Sequence, residues 1–237
     1  MIPKTIHYIW VGSRTIPAKY QSFINEWSRK MPDWEIIRWD ESNFDIEHSA
    51  DYCREAYALK KWAFVSDYIR VKVLYDHGGI YLDADEEMIR SLDRFVEHSV
   101  FFGLEPGLRL QAGVFGCEPQ NRLIGTILAQ YDQMHYVVDR RPDNTVIGIH
   151  FQNILQEVYP QFVPTESAPT ILDGGVAIYP SRYFCPDLAT LKITDESYTV
   201  HRPMGSWLPP KAKLKKKLYT FITQVRLLNW LYRKIKR

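Results

Sequence analysis

Residues 60–85 constrain the fold more than any other stretch of the chain. From Lys60 to Asp76, the side chains Trp62, Val65, Ile69 and Val73 recur at three- and four-residue spacing, which predicts a helix with one apolar stripe. Gly78-Gly79 supplies its stop, and the apolar run GIYL that follows reads as a strand. A helix that turns within two residues into an apolar strand belongs to a layered α/β domain.

The rest of the chain repeats the alternation. TIHYIWV reads as a first strand, and Pro17 opens a helix through about Lys30 on which Tyr20, Phe23, Ile24 and Trp27 share a face. WEIIRW, SVFFGLE, AGVFGCE, TILDG, VAIYP and SYTVH read as further strands, with helices over 121–135 and 146–159. This order predicts a mostly parallel sheet with helices on both faces, in which ligands sit at the carboxyl ends of the strands. There is no internal repeat. The 237 residues suit one large domain over 1–210 followed by a tail over 211–237.

GIYL runs directly into DADEE, so Asp83, Asp85, Glu86 and Glu87 crowd four carboxylates into five residues. Like charges that close repel, and a cation is expected nearby. In an extended segment Asp83 and Asp85 face one side and Ala84 the other. Hard oxygen ligands suit Mg²⁺ or Mn²⁺, and a shell with few protein carboxylates is completed by water and a substrate's phosphates. A nucleotide diphosphate is the expected ligand. On the preceding helix Asp67 and Arg70 share a face away from the apolar stripe, where Arg70 can grip phosphate or sugar oxygens and Asp67 can accept hydroxyl hydrogen bonds. A plain surface ion pair is the competing account.

IPKTIHYIWVG, AFVSDYIRVKVLYDHGGIYLDAD and HRPMGSW together resemble the DXD-containing glycosyltransferases of family 32, relatives of the yeast initiating mannosyltransferase and, more distantly, of the clostridial glucosylating toxins. The resemblance implies a GT-A fold, a Rossmann-like α/β architecture, and metal-dependent transfer of a hexose or N-acetylhexosamine from a nucleotide-sugar with retention of configuration. It implies that Trp10 stacks on the donor base and that Asp67 and Arg70 hold the donor sugar and diphosphate. Tyr81 belongs to the same signature. Asp83 would meet the ribose or a metal-bound water, Asp85 would bind Mn²⁺ (or Mg²⁺) directly, and His201 would be a further metal ligand. Gly205, Ser206 and Trp207 would reach the diphosphate, Gly205 by letting the backbone approach. Two motifs depart from the family: Gln111-Ala112-Gly113 stands where a polar-Gly pair is usual, and Ser167-Ala168-Pro169 where Thr-Gly-Pro is. Both bear on sugar choice.

No carboxylate identifies itself as a nucleophile, so front-face attack, in which the departing phosphate takes the acceptor's proton, is expected by analogy with the family. A UDP-sugar is the expected donor, with GDP-mannose the alternative. The competing functions are a phosphohydrolase of the DxD type, for which Glu86 stands where Thr or Val is needed, a non-catalytic membrane-associated sugar-nucleotide-binding module, and an effector-type transferase that glycosylates a protein.

Charge distribution bears on the acceptor. Ten of the 30 Lys and Arg fall in residues 211–237, which hold no Asp or Glu, so the preceding 210 residues carry 20 basic against 28 acidic side chains. In the tail Leu214, Leu218, Phe221, Val225, Leu228, Tyr232 and Ile235 form one apolar stripe of a basic amphipathic helix. Such a helix binds an anionic membrane surface, which points to a lipid-linked saccharide acceptor in surface polysaccharide biosynthesis. Its regular heptad also suits a homodimeric coiled coil. Nucleic acid is not an expected partner, because the body is acidic and has no recognisable binding motif. The three cysteines lack metal or CxxC spacing, and the start MIPKTIHYIWVG lacks a basic n-region and a long apolar core. A cytoplasmic protein, peripheral at the inner membrane face, is expected.

Overall fold

Side-chain burial alternates between two layers along each central strand, and that alternation sets the architecture. The computed structural model of the chain describes residues 1–12, 15–186 and 193–202. In chain order its elements are β1 (Thr5–Ile9), α1 (Ala18–Lys30), β2 (Glu35–Trp39), α2 (Asp51–Ala58), α3 (Trp62–His77), β3 (Gly79–Leu82) and β4 (Glu86–Met88). There follow β5 (Val100–Glu105), β6 (Arg109–Cys117), α4 (Arg122–Gln133), β7 (Val137–Val138), β8 (Arg141–Pro142), α5 (Ile147–Val158), β9 (Thr170–Leu172), β10 (Val176–Tyr179), α6 (Ser181–Phe184) and β11 (Thr199–His201).

Seven strands form one sheet in the order β2-β1-β3-β6-β5-β10-β9. β1 pairs in parallel with β2 and β3, and β10 with β5, whereas β6 runs antiparallel to both of its neighbours and β9 antiparallel to β10. The architecture is a mostly parallel sheet covered on both faces, as the expected GT-A fold requires. Tyr81, Phe102, Phe115 and Ile178 pack under α2 to α5, while the intervening Ile80, Phe101, Val114 and Ala177 face α1 and α6. That is the period-two projection of a strand buried on both sides.

Three local features aim residues at one end of the sheet. The helix–strand junction at Gly78-Gly79 has positive φ at both residues, and a Cβ on Gly79 would lie 2.7 Å from the Thr5 carbonyl oxygen, so only glycine lets β3 enter beside β1. The β5–β6 register jumps from Phe102↔Phe115 to Gly103↔Gln111, which leaves residues 112–114 as a bulge on β6. The third is the carboxylate triplet itself. It is not extended: the Glu86 amide donates to the Asp83 carbonyl oxygen at 2.9 Å, closing a turn from β3 into β4. The expectation that Asp83 and Asp85 share a side through strand periodicity is therefore corrected, because the turn brings them together.

The helix carrying Asp67 and Arg70 also differs from the expected half-exposed form. Nine residues of α3, including both of these, are buried, because α2 and α4 cover the face that a single stripe would leave to solvent. Gly205, Ser206, Trp207 and the tail over 211–237 lie outside the described residues. No described helix is long and apolar enough to cross a membrane.

Candidate active site

A cleft of about 550 Å³ opens at the carboxyl ends of β1, β3 and β5, where the reversed β6 contributes its beginning. Trp10, Asp67, Arg70, Tyr81, Asp83, Asp85 and His201 all line it, so the described residues singled out from the sequence converge on one space.

Arg70 organises its floor. Its guanidinium lies 3.1 Å from Asp67 and 3.4 Å from Asp83, and stands over the Tyr81 ring at 4.5 Å. Its Nε donates to the Ser66 carbonyl, Nη1 to the Ala112 carbonyl at 2.8 Å, and Nη2 to the Ser66 hydroxyl. Burial pulls its pKa down, but Asp83, Tyr81 and Asp67 outweigh this and raise it, so the group stays charged. These contacts hold the Arg70 guanidinium in place against the Asp67 and Asp83 carboxylates. Arg70 and Asp67 are both nine-tenths buried, so theirs is no exposed surface pair.

Burial pushes the Asp67 carboxyl up and Arg70 draws it back, leaving it at about 7. Tyr81 donates its hydroxyl to Asp83 Oδ1 at 2.6 Å, and the Asp83 amide donates to the Gly113 carbonyl at 2.8 Å. Asp83 is thus held by β3, α3 and the β6 bulge at once.

Asp83, Asp85 and His201 each present a ligand atom within 4.8 Å of the others. β11 delivers His201 by pairing antiparallel with β4, His201 directly opposite Glu86. The imidazole Nδ1 lies 2.8 Å from Glu86 Oε1 and 3.6 Å from Asp85 Oδ1. Burial alone would lower its pKa, yet the hydrogen bond to Glu86 and the charges of Glu86, Asp85 and Asp83 raise it to about 10. Two carboxylate oxygens and one imidazole form a donor set that fits Mn²⁺ or Mg²⁺, with positions left for water and phosphate oxygens. A Cβ on Gly113 would lie 2.9 Å from Glu86 Oε1 and 3.2 Å from Asp83 Oδ2, so the cradle depends on glycine there.

Trp62, Gln111 and residues 146–148 at the start of α5 also line the cleft. Trp62 reads from sequence as part of the apolar stripe. Gly148 had a signal, being a glycine inside a helical pattern, and a Cβ on it would lie 2.3 Å from the Leu110 carbonyl oxygen, which is how closely α5 presses on β6. Residues 167–169 do not line the cleft, whereas residues 111–113 do.

Residues 17–102 match the family described as glycosyltransferase sugar-binding region containing DXD motif. Among curated proteins, the chain is 29% identical over 110 residues to Subversion of eukaryotic traffic protein A of Legionella pneumophila, covering 35% of this chain and 17% of that protein. It is 27% identical over 111 residues to Inositol phosphoceramide mannosyltransferase 1 of Schizosaccharomyces pombe, covering 42% of this chain and 33% of that one. Each alignment thus spans a third of the relative's length or less. Among solved structures, PaToxG Glycosyltransferase superposes with a TM-score of 0.52 at 19% identity, covering 67% of this chain and 70% of that chain. Residues 17–102 therefore resemble a glycosyltransferase sugar-binding region of the DXD type, and the chain has a GT-A fold.

Proposed function

We propose that the protein is a metal-dependent, retaining glycosyltransferase that moves a hexose or N-acetylhexosamine from a UDP-sugar to a lipid-linked saccharide in surface polysaccharide biosynthesis, working at the cytoplasmic face of a membrane. The observation that carries the transferase reading is the convergence, in one cleft, of the buried Asp67–Arg70–Asp83 cluster with the Asp83, Asp85 and His201 ligand set. Trp10, just beyond β1, stacks on the donor base. Asp67 accepts hydrogen bonds from sugar hydroxyls, and Arg70, 3.4 Å away, keeps Asp83 oriented. Asp83, Asp85 and His201 hold the divalent cation, Mn²⁺ in our reading because a nitrogen ligand favours it over Mg²⁺. The cation supplies the positive charge that stabilises the leaving diphosphate.

The yeast relative supports a lipid acceptor, since its name gives a ceramide as what it mannosylates. The same name makes GDP-mannose the competing donor. A second reading, transfer onto a protein, is favoured by the Legionella relative, named for subversion of eukaryotic traffic. A panel of sugar nucleotides incubated with the full chain and Mn²⁺ tests the donor. Hydrolysis of UDP-glucose, UDP-galactose or a UDP-N-acetylhexosamine is expected, turnover of GDP-mannose alone overturns the uridine preference, and no turnover of any donor overturns the transferase reading.

A further inference from the structure

Glu86 lies behind the cleft, next to His201 of its lining, and the donor-binding scheme has no use for it. It is fully buried, and a carboxylate taken out of water is destabilising unless it is compensated. Its Oε1 meets His201 Nδ1 at 2.8 Å, while Oε2 is buried with no hydrogen-bond partner, the neighbouring Thr199 hydroxyl donating instead to the Phe184 carbonyl. β4 buries Glu86 and Met88 on the same face, where a second apolar residue would satisfy the packing. Strand pairing does not need the acid either. Arg202 already ties β11 to β4 through Glu87 at 2.8 Å and through its amide to the Asp85 carbonyl at 2.9 Å, and the Trp27 indole clamps the Glu86 carbonyl from α1.

What Glu86 does touch is the ring of a candidate metal ligand. A hydrogen bond from one imidazole nitrogen to a carboxylate fixes the tautomer and the ring's orientation and raises the basicity of the other nitrogen. We infer that Glu86 is a positioning residue: by holding Nδ1 of His201 at 2.8 Å it fixes the imidazole beside Asp83 and Asp85, and so sets the affinity of the metal site. The glycine at 113 belongs to the same device, because a side chain there would displace the carboxylate from the ring.

The inference rests on the reading of Asp83, Asp85 and His201 as ligands, and the test keeps the two apart. Mn²⁺ alone is titrated into the full chain, and free Mn²⁺ is followed by its electron paramagnetic resonance signal. The proteins compared are wild type, Asp85→Asn, Glu86→Gln, Glu86→Met, His201→Ala and the double variant Glu86→Gln/His201→Ala, with thermal melts to show that each is folded. Glu86→Met keeps the volume and removes the buried charge, which guards against a variant that fails to fold. Glu86→Gln and Glu86→Met are expected to weaken Mn²⁺ binding about 10- to 100-fold. In the His201→Ala background Glu86→Gln is expected to add less than about twofold, because there is no ring left to hold. Wild-type affinity in either Glu86 variant overturns the inference while leaving the metal site standing if Asp85→Asn has lost binding. An equal loss with and without His201 also overturns it, since that is the signature of a distant charge. Mn²⁺ binding insensitive to Asp85→Asn, or absent from wild type, overturns the site and the inference with it.

Discussion

Asp85 is buried beside His201, and Asp85→Asn keeps its shape while removing the charge that a hard cation seeks. We expect this variant to fold and to lower Mn²⁺-dependent donor hydrolysis by at least about 100-fold, measured in chelator-treated, metal-replenished buffer. His7 makes a different prediction. It is fully buried in β1, accepts a hydrogen bond from the Trp39 indole at Nδ1 and meets the Gly78 carbonyl with Nε2 at 2.9 Å, so the neutral ring ties β1, β2 and the α3–β3 junction together. Burial, with a smaller push from His77, lowers its pKa to about 4, against a raising contribution from the Gly78 carbonyl. A folded value below the unfolded one means that protons favour the unfolded chain. The His7 contribution is whole above pH 6.5 and is lost as pH falls through 6.5 toward 4, by about 3 kcal/mol at the lower end. Urea unfolding at pH 7 and pH 4 should show that His7→Gln flattens this dependence, and an unchanged slope contradicts the assignment. Neither His7 nor the engagement of Arg70 was legible in the sequence. The three-residue spacing of Asp67 and Arg70 announces a pair, but which atoms it holds depends on the Ala112 carbonyl and on Asp83, supplied by other elements.

Strands and helices with a clear period were readable, and what escaped were features fixed by distant pairing. β1, α1, β2, α3, β3, α4 and α5 lie where their apolar spacing puts them, to within one or two residues. β6 reads as another strand, yet nothing in its own residues says that it runs antiparallel inside the sheet; its direction comes from its partners on both sides. β4 is only three residues long, and two of them are glutamates that a reading of local propensity assigns to a turn. α2 escaped because eight residues hold just two helical turns, with Tyr52, Cys53 and Ala56 as their buried side. The β6 bulge shows how these long-range features reach the site. Gly113→Ala would place a methyl group 2.9 Å from Glu86, 3.1 Å from Gln111 and 3.2 Å from Asp83, all side-chain oxygens. The expected result is a folded protein destabilised by about 1–3 kcal/mol, with weaker Mn²⁺ binding than wild type. Chemical denaturation and a metal titration of the same sample check both halves.

At the scale of the molecule, residues 1–210 are net acidic and residues 211–237 hold ten basic and no acidic side chains. We expect the full chain to float with anionic liposomes at low salt, drawn by about 1 kcal/mol per basic residue near the lipid, and truncation after Pro210 to abolish flotation while donor hydrolysis survives. Flotation that persists without the tail contradicts the membrane reading. The fold class, the cleft's place at the strand ends and its three aspartates were all open to a reader of the sequence, whereas Glu105 of its lining and the joining of β11 to β4 were not, the latter because two three-residue strands that lie far apart leave no periodic trace. That pairing has a temporal side. His201 follows Glu86 by 115 residues, so a growing chain displays the acidic triplet long before the imidazole emerges from the ribosome. A product terminated between Glu87 and β11 would carry the carboxylates without their nitrogen partner. On the proposed function, a chain gains its full set of candidate metal ligands only once it is complete through β11.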